Sequence, residues 1–258
     1  MAADVQQAYD ALAADYDRLL QGDQWVRELL WRRYLTYFSP GDHILDVACG
    51  TGIDAIFLAE RGINVTAVDV SPAMIAQLAL KAEHRNLTDR IHTRTLSLNE
   101  ISILAPARFD GMISAFAGLN TTPDLAAFAR AAAALLQPGG TLIVHMLNRF
   151  SLWEWLGLVA RGRWKAASQL GKEPERVFHI GGQPVKHYLY YPRVVYRRCF
   201  EPHFRLRRVY SIGALCPPGT LPSFVAPAVS WLDDGLGSRR PFVNLGRFFV
   251  LELARKAR

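Results

Sequence analysis

Alternation of short apolar runs with helical patterns between residues 43 and 147 is the feature that most constrains the fold of this chain. Apolar runs bounded by turn residues are typical of strands buried on both faces, which is the environment inside a parallel sheet. Helical crossovers between such strands are right-handed, so the pattern predicts an α/β fold with an open, doubly wound sheet. The predicted strands span 43–48, 64–70, 91–96, 109–115 and 141–147.

Turn and capping residues set the predicted helix boundaries. Ser71 is a good N-cap and Pro72 suits the first helical position, so a helix is predicted over 72–83. An Ala-rich helix is predicted over 122–136. The Pro-Gly-Gly at 138–140 then predicts a turn before the fifth strand.

The alternation stops after residue 147. Residues 148–191 form an insertion rich in Trp, Tyr and basic side chains, and two more strands are predicted at 203–215 and 247–254, separated by a Pro/Gly-rich loop over 216–243. The sheet then has seven mostly parallel strands, with insertions after strands five and six. We predict one domain over 1–258, made of an N-terminal helical part (1–40), a core (41–147), the insertion (148–191) and a C-terminal part of the sheet (192–258).

Composition and charge limit the partners and the cellular compartment that we expect for this chain. The net charge of +7 comes from arginines that crowd in its later part, which suits nucleic acid, a membrane surface or an anionic substrate as a partner. The apolar runs are too short to cross a bilayer, and the N-terminus lacks the apolar core of a secretory signal. Cys49, Cys199 and Cys216 are too far apart for a metal or disulfide pattern. We expect a cytoplasmic protein without a bound metal.

A glycine-bearing turn, 46–52, directly follows the first predicted strand. Glycines there let the backbone approach a ligand and point free N–H groups at it. Asp69 ends the second predicted strand, where a carboxylate can accept hydrogen bonds from both hydroxyls of a ribose. The turn and the acid together indicate a cofactor that contains a nucleoside.

Two nucleoside cofactors compete for this turn. An NAD site has the pattern G-x-G-x-x-G, and its pyrophosphate binds at the N-terminus of the following helix. This chain has Gly50 and Gly52 but Ala55 in place of a third glycine. The preceding Asp46 would repel a pyrophosphate but would hold a ligand ammonium group. The residues therefore favour S-adenosylmethionine (SAM), which carries an amino acid.

Six motifs, in their order along the chain, resemble those of the class I SAM-dependent methyltransferases that act on small molecules. They are a helix at 9–17 that closes over SAM in many members, the turn at 46–52, the ribose and adenine segments at 67–71 and 74–75, the start of strand four at 109–110, and the turn before strand five at 136–142. The resemblance covers roughly residues 8–147. It implies a Rossmann-like sheet, a lid over 1–40 and methyl transfer from SAM.

The resemblance also implies a role for individual residues. Gly50 and Gly52 would contact the methionine part of SAM, where Asp46 organises the site. Asp69 would bind the ribose hydroxyls, and Tyr16 would reach the SAM carboxylate. Val70 and Met74 would lie against the adenine. The complete set implied at the cofactor is Tyr16, Asp46, Ala48, Cys49, Gly50, Thr51, Gly52, Asp69, Val70, Met74, Ser97, Leu98, Asn99, Ala115 and Phe116.

Two positions depart from the family's pattern. Ala48 stands where the family has its first glycine, which is tolerable if the φ of Ala48 stays negative, because alanine disfavours left-handed backbone. The family usually has an Asp after the third strand that holds the adenine amino group. Here the segment 96–99 contains none, so Ser97, Asn99 or the backbone is expected to take that role.

Methyl transfer from SAM is an in-line displacement, to which a protein contributes chiefly by aligning the nucleophile with the methyl group. A hydroxyl or ammonium nucleophile also needs a proton acceptor. The candidates at the carboxyl ends of strands four and five are Asn120 and His145. A histidine at that position could equally be a hydrogen-bonded core residue.

The predicted acceptor is a small molecule, apolar or aromatic, and an anionic one is also compatible with the basic residues of 148–191. Nucleic acid is disfavoured, because 115–118 lacks the Asn/Asp-Pro-Pro-Tyr/Phe motif of DNA adenine methyltransferases. Two alternatives stay open: methylation of RNA or another nucleic acid, and a SAM-binding or membrane-surface protein without catalysis. Trp153 and Trp155, with the basic residues that follow them, could form a lid or a peripheral membrane contact. The sequence leaves the methylated atom and the oligomeric state open.

Overall fold

Nine strands carry the architecture of the part of the chain described by the computed structural model, residues 2–214, 235–239 and 241–257. They are His43–Val47 (β1), Asn64–Asp69 (β2), Ile91–Thr95 (β3), Phe109–Ser114 (β4), Leu136–Leu147 (β5), Glu175–Ile180 (β6), Gln183–Tyr188 (β7), Phe204–Ile212 (β8) and Phe248–Arg255 (β9). Seven form one sheet in the order β3-β2-β1-β4-β5-β9-β8, and β6 pairs with β7 in a separate hairpin.

Strands β1 to β5 are parallel, whereas β9 runs antiparallel to both β5 and β8. The chain builds outward from β1 to β3 and then returns to the other side of β1 with β4. Ligands bind in doubly wound sheets at the point where the strand order reverses in this way. The predicted fold class, a mostly parallel seven-stranded sheet, is confirmed.

Helices cover both faces of this sheet. They are Ala2–Asp10 (α1), Tyr16–Leu19 (α2), Gln24–Tyr34 (α3), Ile53–Ala59 (α4), Pro72–His84 (α5), Leu125–Leu135 (α6), Leu152–Ala160 (α7), Trp164–Gln169 (α8) and Pro192–Val195 (α9). Because side chains alternate across a strand, neighbouring residues of β1 enter different cores. Ile44 packs into the cluster that contains α3, α4 and α5, and Leu45 packs into the cluster that contains α6.

Most predicted boundaries lie within a residue or two of the observed ones, and the N-cap at Ser71 is confirmed, since its Oγ accepts the N–H of Met74 at 3.0 Å. The helix predicted from residue 122 begins later, because the carboxylate of Asp124 caps it by accepting the N–H of Ala127. Residues 138–140 do not form the separate turn that was predicted before the fifth strand. They lie inside β5 as an irregularity, where Gly139 has a φ of +80° and the register against β4 shifts.

The insertion 148–191 is more regular than its sequence indicates, because it contains α7, α8 and the β6–β7 hairpin. Strand β7 packs against α1 and against the 3₁₀ turn Gly118–Thr121, so the hairpin lies over the N-terminal segment. Most of the predicted loop 216–243, with the last residue of the strand predicted at 203–215, lies outside the described residues. None of the helices in the described ranges is both long and apolar enough to cross a bilayer.

Candidate functional site

A cavity of about 910 Å³, open mouth included, lies at the carboxyl ends of β1, β2 and β4. This is the position that the strand order predicts for a ligand. Ten of the residues implied at the cofactor line it: Tyr16, Ala48, Gly50, Asp69, Val70, Ser97, Leu98, Asn99, Ala115 and Phe116. Sequence motifs from five separate segments therefore meet in one cavity.

A smaller cavity, of about 280 Å³, adjoins the first and shares Tyr16, Ala48, Ala115 and Phe116 with it. Three further predicted residues, Asp46, Cys49 and Thr51, line this smaller space. Gly52 and Met74 line neither cavity. Met74 is fully buried, and Gly52 is the N-cap of α4, with a φ of +73°.

The condition under which alanine is tolerated at position 48 without strain, a negative φ, is not met, because the φ of Ala48 is +55°. Gly50 (+54°) and Gly52 (+73°) share this left-handed conformation, which alternates along the turn with Cys49 and Thr51, whose φ is not positive. Left-handed backbone costs alanine roughly 1–2 kcal/mol, so the surroundings must impose it. The N–H of the next residue, Cys49, donates to the carbonyl of Val68 on β2 at 3.1 Å and fixes the turn.

Asp69 joins the turn to the second strand. Its Oδ2 accepts the N–H of Gly50 at 2.8 Å and its Oδ1 accepts the N–H of Ser71 at 2.9 Å. The carboxylate is 8% exposed and burial raises its pKa, although the two backbone N–H groups oppose that shift. Each oxygen keeps a second lone pair, so the carboxylate can hold the turn and still accept hydrogen bonds from a ligand diol.

Asp46 is the polar residue of the smaller cavity that lacks a partner. It is 1% exposed, and its Oδ2 has no hydrogen-bond partner among the described residues. Burial, reinforced by the nearby carboxylate of Asp54, raises the pKa of Asp46 well above its usual value. A buried carboxylate oxygen without a donor is costly to the free protein, so it fits a site built for a cationic ligand group.

Arg27, on α3, is a site residue that motif reading missed. Its guanidinium is buried, forms an ion pair with Asp54 on α4, and lies over the ring of Phe116 at 4.1 Å. The same side chain lines the smaller cavity beside Asp46. A guanidinium has five N–H donors, so the pairing leaves donors for a ligand carboxylate. The sequence motifs did not identify this residue, because α3 lies between the motifs at 9–17 and 46–52 and belongs to neither.

His145 lies behind the cavity wall, not in it. Its Nδ1 accepts the N–H of Phe116 at 3.0 Å, and its carbonyl accepts the N–H of Ala117 at 3.1 Å. Phe116 and Ala117 both have positive φ, +49° and +65°, so His145 supports two residues in unfavourable backbone conformations. Burial, with the charge of Arg27, lowers the pKa of His145 to about 3. The ring is therefore neutral, and its acceptor nitrogen is already used.

Asn120 is also buried away from both cavities. Its Oδ1 accepts the N–H of Leu147 at 2.9 Å, and its Nδ2 donates to the carbonyl of Tyr188 at 2.6 Å. The amide thus ties the end of β5 to the β6–β7 hairpin. In this arrangement both ends of the side chain are engaged with backbone, and catalysis by Asn120 or His145 stays an untested prediction.

The segment after β3 closes one side of the larger cavity. The Oγ of Ser97 donates to Glu100 at 2.6 Å, so this hydroxyl has a partner within its own turn. Asn99 lines the same cavity and accepts weakly from the hydroxyl of Thr122 at 3.4 Å, a bond that does not use its amide N–H₂. Asn99 is thus the better placed of the two predicted residues to contact a base.

The N-terminal segment covers the larger cavity with Val5, Tyr9 and Tyr16. Two carboxylates dock this segment on the core. Asp10 accepts hydrogen bonds from the Oγ of Ser71 at 2.5 Å and from the N–H of Ala73 at 3.2 Å, and Asp17 accepts from Thr51 and from Lys81. Burial raises the pKa of Tyr9 to about 12, so its hydroxyl stays protonated.

Five of the buried polar atoms without a partner among the described residues lie toward the carboxyl ends of three neighbouring strands, β1, β4 and β5, whereas another, Trp25 Nε1, lies on α3. The five are Asp46 Oδ2, Ser114 Oγ, His145 Nε2 and both amide atoms of Asn148. Buried polar groups are nearly always hydrogen-bonded, and exceptions mark sites where another molecule is expected. The described residues contain no group of His, Cys, Asp and Glu that could hold a metal ion.

Comparison with known proteins agrees with this geometry. The methyltransferase domain family matches residues 44–140. Over 110 residues the chain is 34% identical to the ubiquinone biosynthesis O-methyltransferase of Xanthomonas campestris pv. campestris (strain B100), which covers 43% of this chain and 45% of that enzyme. The chain thus spans about half the length of the curated relatives that it matches.

Solved structures share the fold over almost the whole chain. The 1,6-didemethyltoxoflavin-N1-methyltransferase of Burkholderia thailandensis, solved with S-adenosylhomocysteine, has a TM-score of 0.61 at 17% identity and covers 100% of this chain and 89% of its own. The [4+2]-cyclase SpnF has a TM-score of 0.64 at 17% identity and covers 100% of this chain and 98% of its own. The fold is therefore shared by enzymes with different reactions, so the site itself has to carry the functional argument.

Proposed function

We propose that this chain, which belongs by its domain and fold to the class I SAM-dependent methyltransferases, transfers the methyl group of SAM to a small-molecule acceptor. The observation that carries the proposal is a pair of adjoining cavities, each lined by a buried carboxylate that is in no ion pair with a described residue. A second carboxylate of the smaller cavity, Asp54, is paired with Arg27. Asp69 lies in the larger cavity and Asp46 in the smaller, with the left-handed turn between them. An elongated ligand with a diol at its centre and an ammonium group at one end matches this arrangement.

The residues present fit SAM as follows. Asp69 would accept from the ribose hydroxyls, and Val70, Leu98 and Asn99 would surround the adenine in the larger cavity. Asp46 would accept from the ammonium group in the smaller cavity. Arg27, which the sequence motifs did not identify, would bind the SAM carboxylate in the same smaller cavity through its remaining N–H donors. Binding of a zwitterion would give Asp46 the partner that it lacks in the free protein.

The chemistry places few demands on the protein. SAM supplies an activated sulfonium methyl group and a neutral leaving group, so the residues need to orient the acceptor and exclude water. Val5, Tyr9, Phe116 and Pro123 give the larger cavity an apolar and aromatic wall. Among the described residues that line it there is no Lys or Arg, which supports a small acceptor over a nucleic acid.

Proton removal has no obvious base. The titratable side chains that line the larger cavity in the described ranges are Tyr9, Tyr16 and Asp69, and burial raises the pKa of all three. The acceptor that suits such a site ionises by itself or loses its proton to water. An aromatic hydroxyl meets this condition, and the named relatives are O-methyltransferases. We therefore propose O-methylation of an apolar aromatic compound as the specific reaction.

The first test measures cofactor binding by titration calorimetry with S-adenosylhomocysteine. We expect Asp69→Ala to weaken binding about a hundredfold, because hydrogen bonds to a charged group contribute about 1.5–3 kcal/mol each and two ribose hydroxyls lose their acceptor. Asp89→Ala, at an exposed carboxylate, is the matched control. Thermal melts check that the variant folds, since Asp69 also holds the turn. Unchanged affinity in folded Asp69→Ala would refute the cofactor assignment.

The second test measures transfer. The protein is incubated with SAM that carries a deuterated methyl group and with a panel of catechols, phenols and aromatic amines, and products are detected by mass spectrometry. Labelling of phenolic hydroxyls supports the proposal. Tight binding of SAM with no labelled acceptor, in a panel that a known O-methyltransferase labels, favours the alternative of a catalytically silent SAM-binding protein.

A further inference from the structure

Helix α7 is apolar, yet none of its residues is buried. Trp153, Leu156 and Ala160 lie at positions i, i+3 and i+7 and so share one face of the helix. This face is open to solvent: Trp153 is 37% and Leu156 is 40% exposed. Large apolar side chains grouped on a surface are a mark of an interaction site.

The exposed surface continues past the end of α7. Trp164 begins α8, which contacts α7, and is 66% exposed. Arg161, Arg163 and Lys165 surround this tryptophan in sequence and are all exposed. We call the surface made by Trp153, Leu156, Ala160, Trp164 and these three cations the α7–α8 patch. The acidic side chain of α7, Glu154, is paired with Arg176 on β6 at 2.7 Å, so the patch itself is cationic.

The patch is not needed to cover the active site. Val5 and Tyr9 of α1 line the larger cavity and β7 packs on α1, whereas no residue of 151–169 lines either cavity. The insertion therefore divides into two parts: its hairpin packs on α1, and its two helices carry an exposed apolar and cationic surface. Within the described ranges, nothing packs over Trp153, Leu156 or Trp164 closely enough to bury them.

We propose that the α7–α8 patch docks on an anionic lipid bilayer surface. Tryptophan and leucine next to arginine and lysine are the composition of helices that lie in the membrane interface, with the rings at headgroup level and the cations on anionic lipids. A second copy of this chain is a poorer occupant, because a two-fold interface would bring the same three cations against each other. The proposal is independent of the proposed reaction, since it concerns residues outside the cavities.

The test is flotation of the full-length protein with vesicles, without SAM or acceptor. Vesicles of phosphatidylglycerol and phosphatidylcholine are compared with vesicles of phosphatidylcholine alone. We expect binding to the anionic vesicles that falls with added salt. Each cation near an anionic surface strengthens membrane binding. Replacing Arg161, Arg163 and Lys165 together by glutamine should therefore lower the partition coefficient about a hundredfold.

Matched variants separate the patch from general charge and hydrophobicity. Arg193, Arg197 and Arg198, exposed cations on α9 and the turn after it, are replaced by glutamine as the charge control. Trp153→Ala with Trp164→Ala should also abolish flotation, whereas Leu80→Ala with Ile103→Ala, which changes two exposed apolar residues elsewhere, should not. Thermal melts check that each variant is folded.

Three outcomes would overturn the proposal. They are no flotation of the native protein with anionic vesicles, equal flotation with neutral ones, and equal losses in the patch and control variants. Sedimentation velocity adds a fourth measurement: a dimer that the two tryptophan substitutions dissociate would assign the patch to a second copy instead. Failure of cofactor binding would leave the flotation result intact, so the two proposals fail separately.

Discussion

The methyl group of Ala48 occupies the space that a side chain at Gly118 would need, because a Cβ built on Gly118 would collide with the Cβ of Ala48. The two residues face each other between the ends of β1 and β4, beside the cofactor cavity. The substitution of the family's first glycine by alanine is thus accommodated by a glycine on the neighbouring segment. Gly118 does not need its own conformational freedom, since its φ is not positive.

Gly118→Ala should lower the free energy of unfolding by about 1–3 kcal/mol, because overpacking of a close contact costs that much. Ala48→Gly alone should be stabilising or neutral, since it relieves left-handed backbone at alanine. The double variant should recover most of the loss, which denaturant titration in a double-mutant cycle measures. Gly157→Ala, whose Cβ would meet only the flexible end of Arg161, is the control. Additive effects of the two substitutions would contradict direct contact between positions 48 and 118.

His145→Phe should weaken binding of S-adenosylhomocysteine about tenfold, because the N–H of Phe116 loses its acceptor and an unpaired buried N–H costs about 1–3 kcal/mol. His145→Asn keeps an acceptor near the position of Nδ1 and should retain most of the affinity. His92→Asn is the exposed control. Calorimetry at several pH values should give the same pH dependence for His145→Asn and the native protein, since burial keeps the pKa of His145 at about 3. An inflection near pH 6.5 that disappears with the substitution would instead support a base.

Asp46 should make stability and cofactor affinity depend on pH in opposite directions. Burial raises its pKa in the folded protein, so its stabilising contribution is complete below about pH 4 and is lost as pH rises through the folded value. At pH 7 the free Asp46→Asn protein should therefore melt at a higher temperature than the native protein. A ligand ammonium favours the ionised form, so the affinity for S-adenosylhomocysteine should rise over the same range.

With Asp46→Asn that rise should disappear, and binding at pH 7 should weaken about tenfold. Scanning calorimetry with and without ligand, from pH 5 to pH 8, measures both effects. Asp89→Asn supplies the control for loss of an exposed carboxylate. Lower stability of the free variant at pH 7, together with unchanged affinity, would show that Asp46 has a structural partner and no ligand.

Asp10→Ala should loosen the lid, because the carboxylate holds the start of α5 through Ser71 and Ala73. We expect about fivefold weaker binding of S-adenosylhomocysteine and faster tryptic cleavage after the exposed Arg18. Asp15→Ala is the matched control, since it removes a carboxylate of the same segment that pairs only with Arg18 across an exposed surface. Equal cleavage rates in the native protein and Asp10→Ala would mean that this contact does not hold the lid.

The sequence by itself determined the sheet, the helices between its strands and the position of the site. Local patterns carried that information: apolar runs form the buried strands, Ser71 caps its helix by a bond to a residue three positions on, and Asp69 comes at a strand end. Chain order then placed the turn 46–52 and Asp69 at one edge of a parallel sheet. These features depend on residues close together in the chain.

Only the tertiary structure decided which distant side chains meet at the site. Arg27 reaches the smaller cavity from a helix before the sheet begins, and His145 supports Phe116 from the neighbouring strand instead of lining the cavity. The left-handed φ of Ala48 also depends on packing, because Gly118 lies 70 positions away in sequence and leaves the necessary space. Such pairings follow from the complementarity of packed surfaces, for which a local pattern contains no signal.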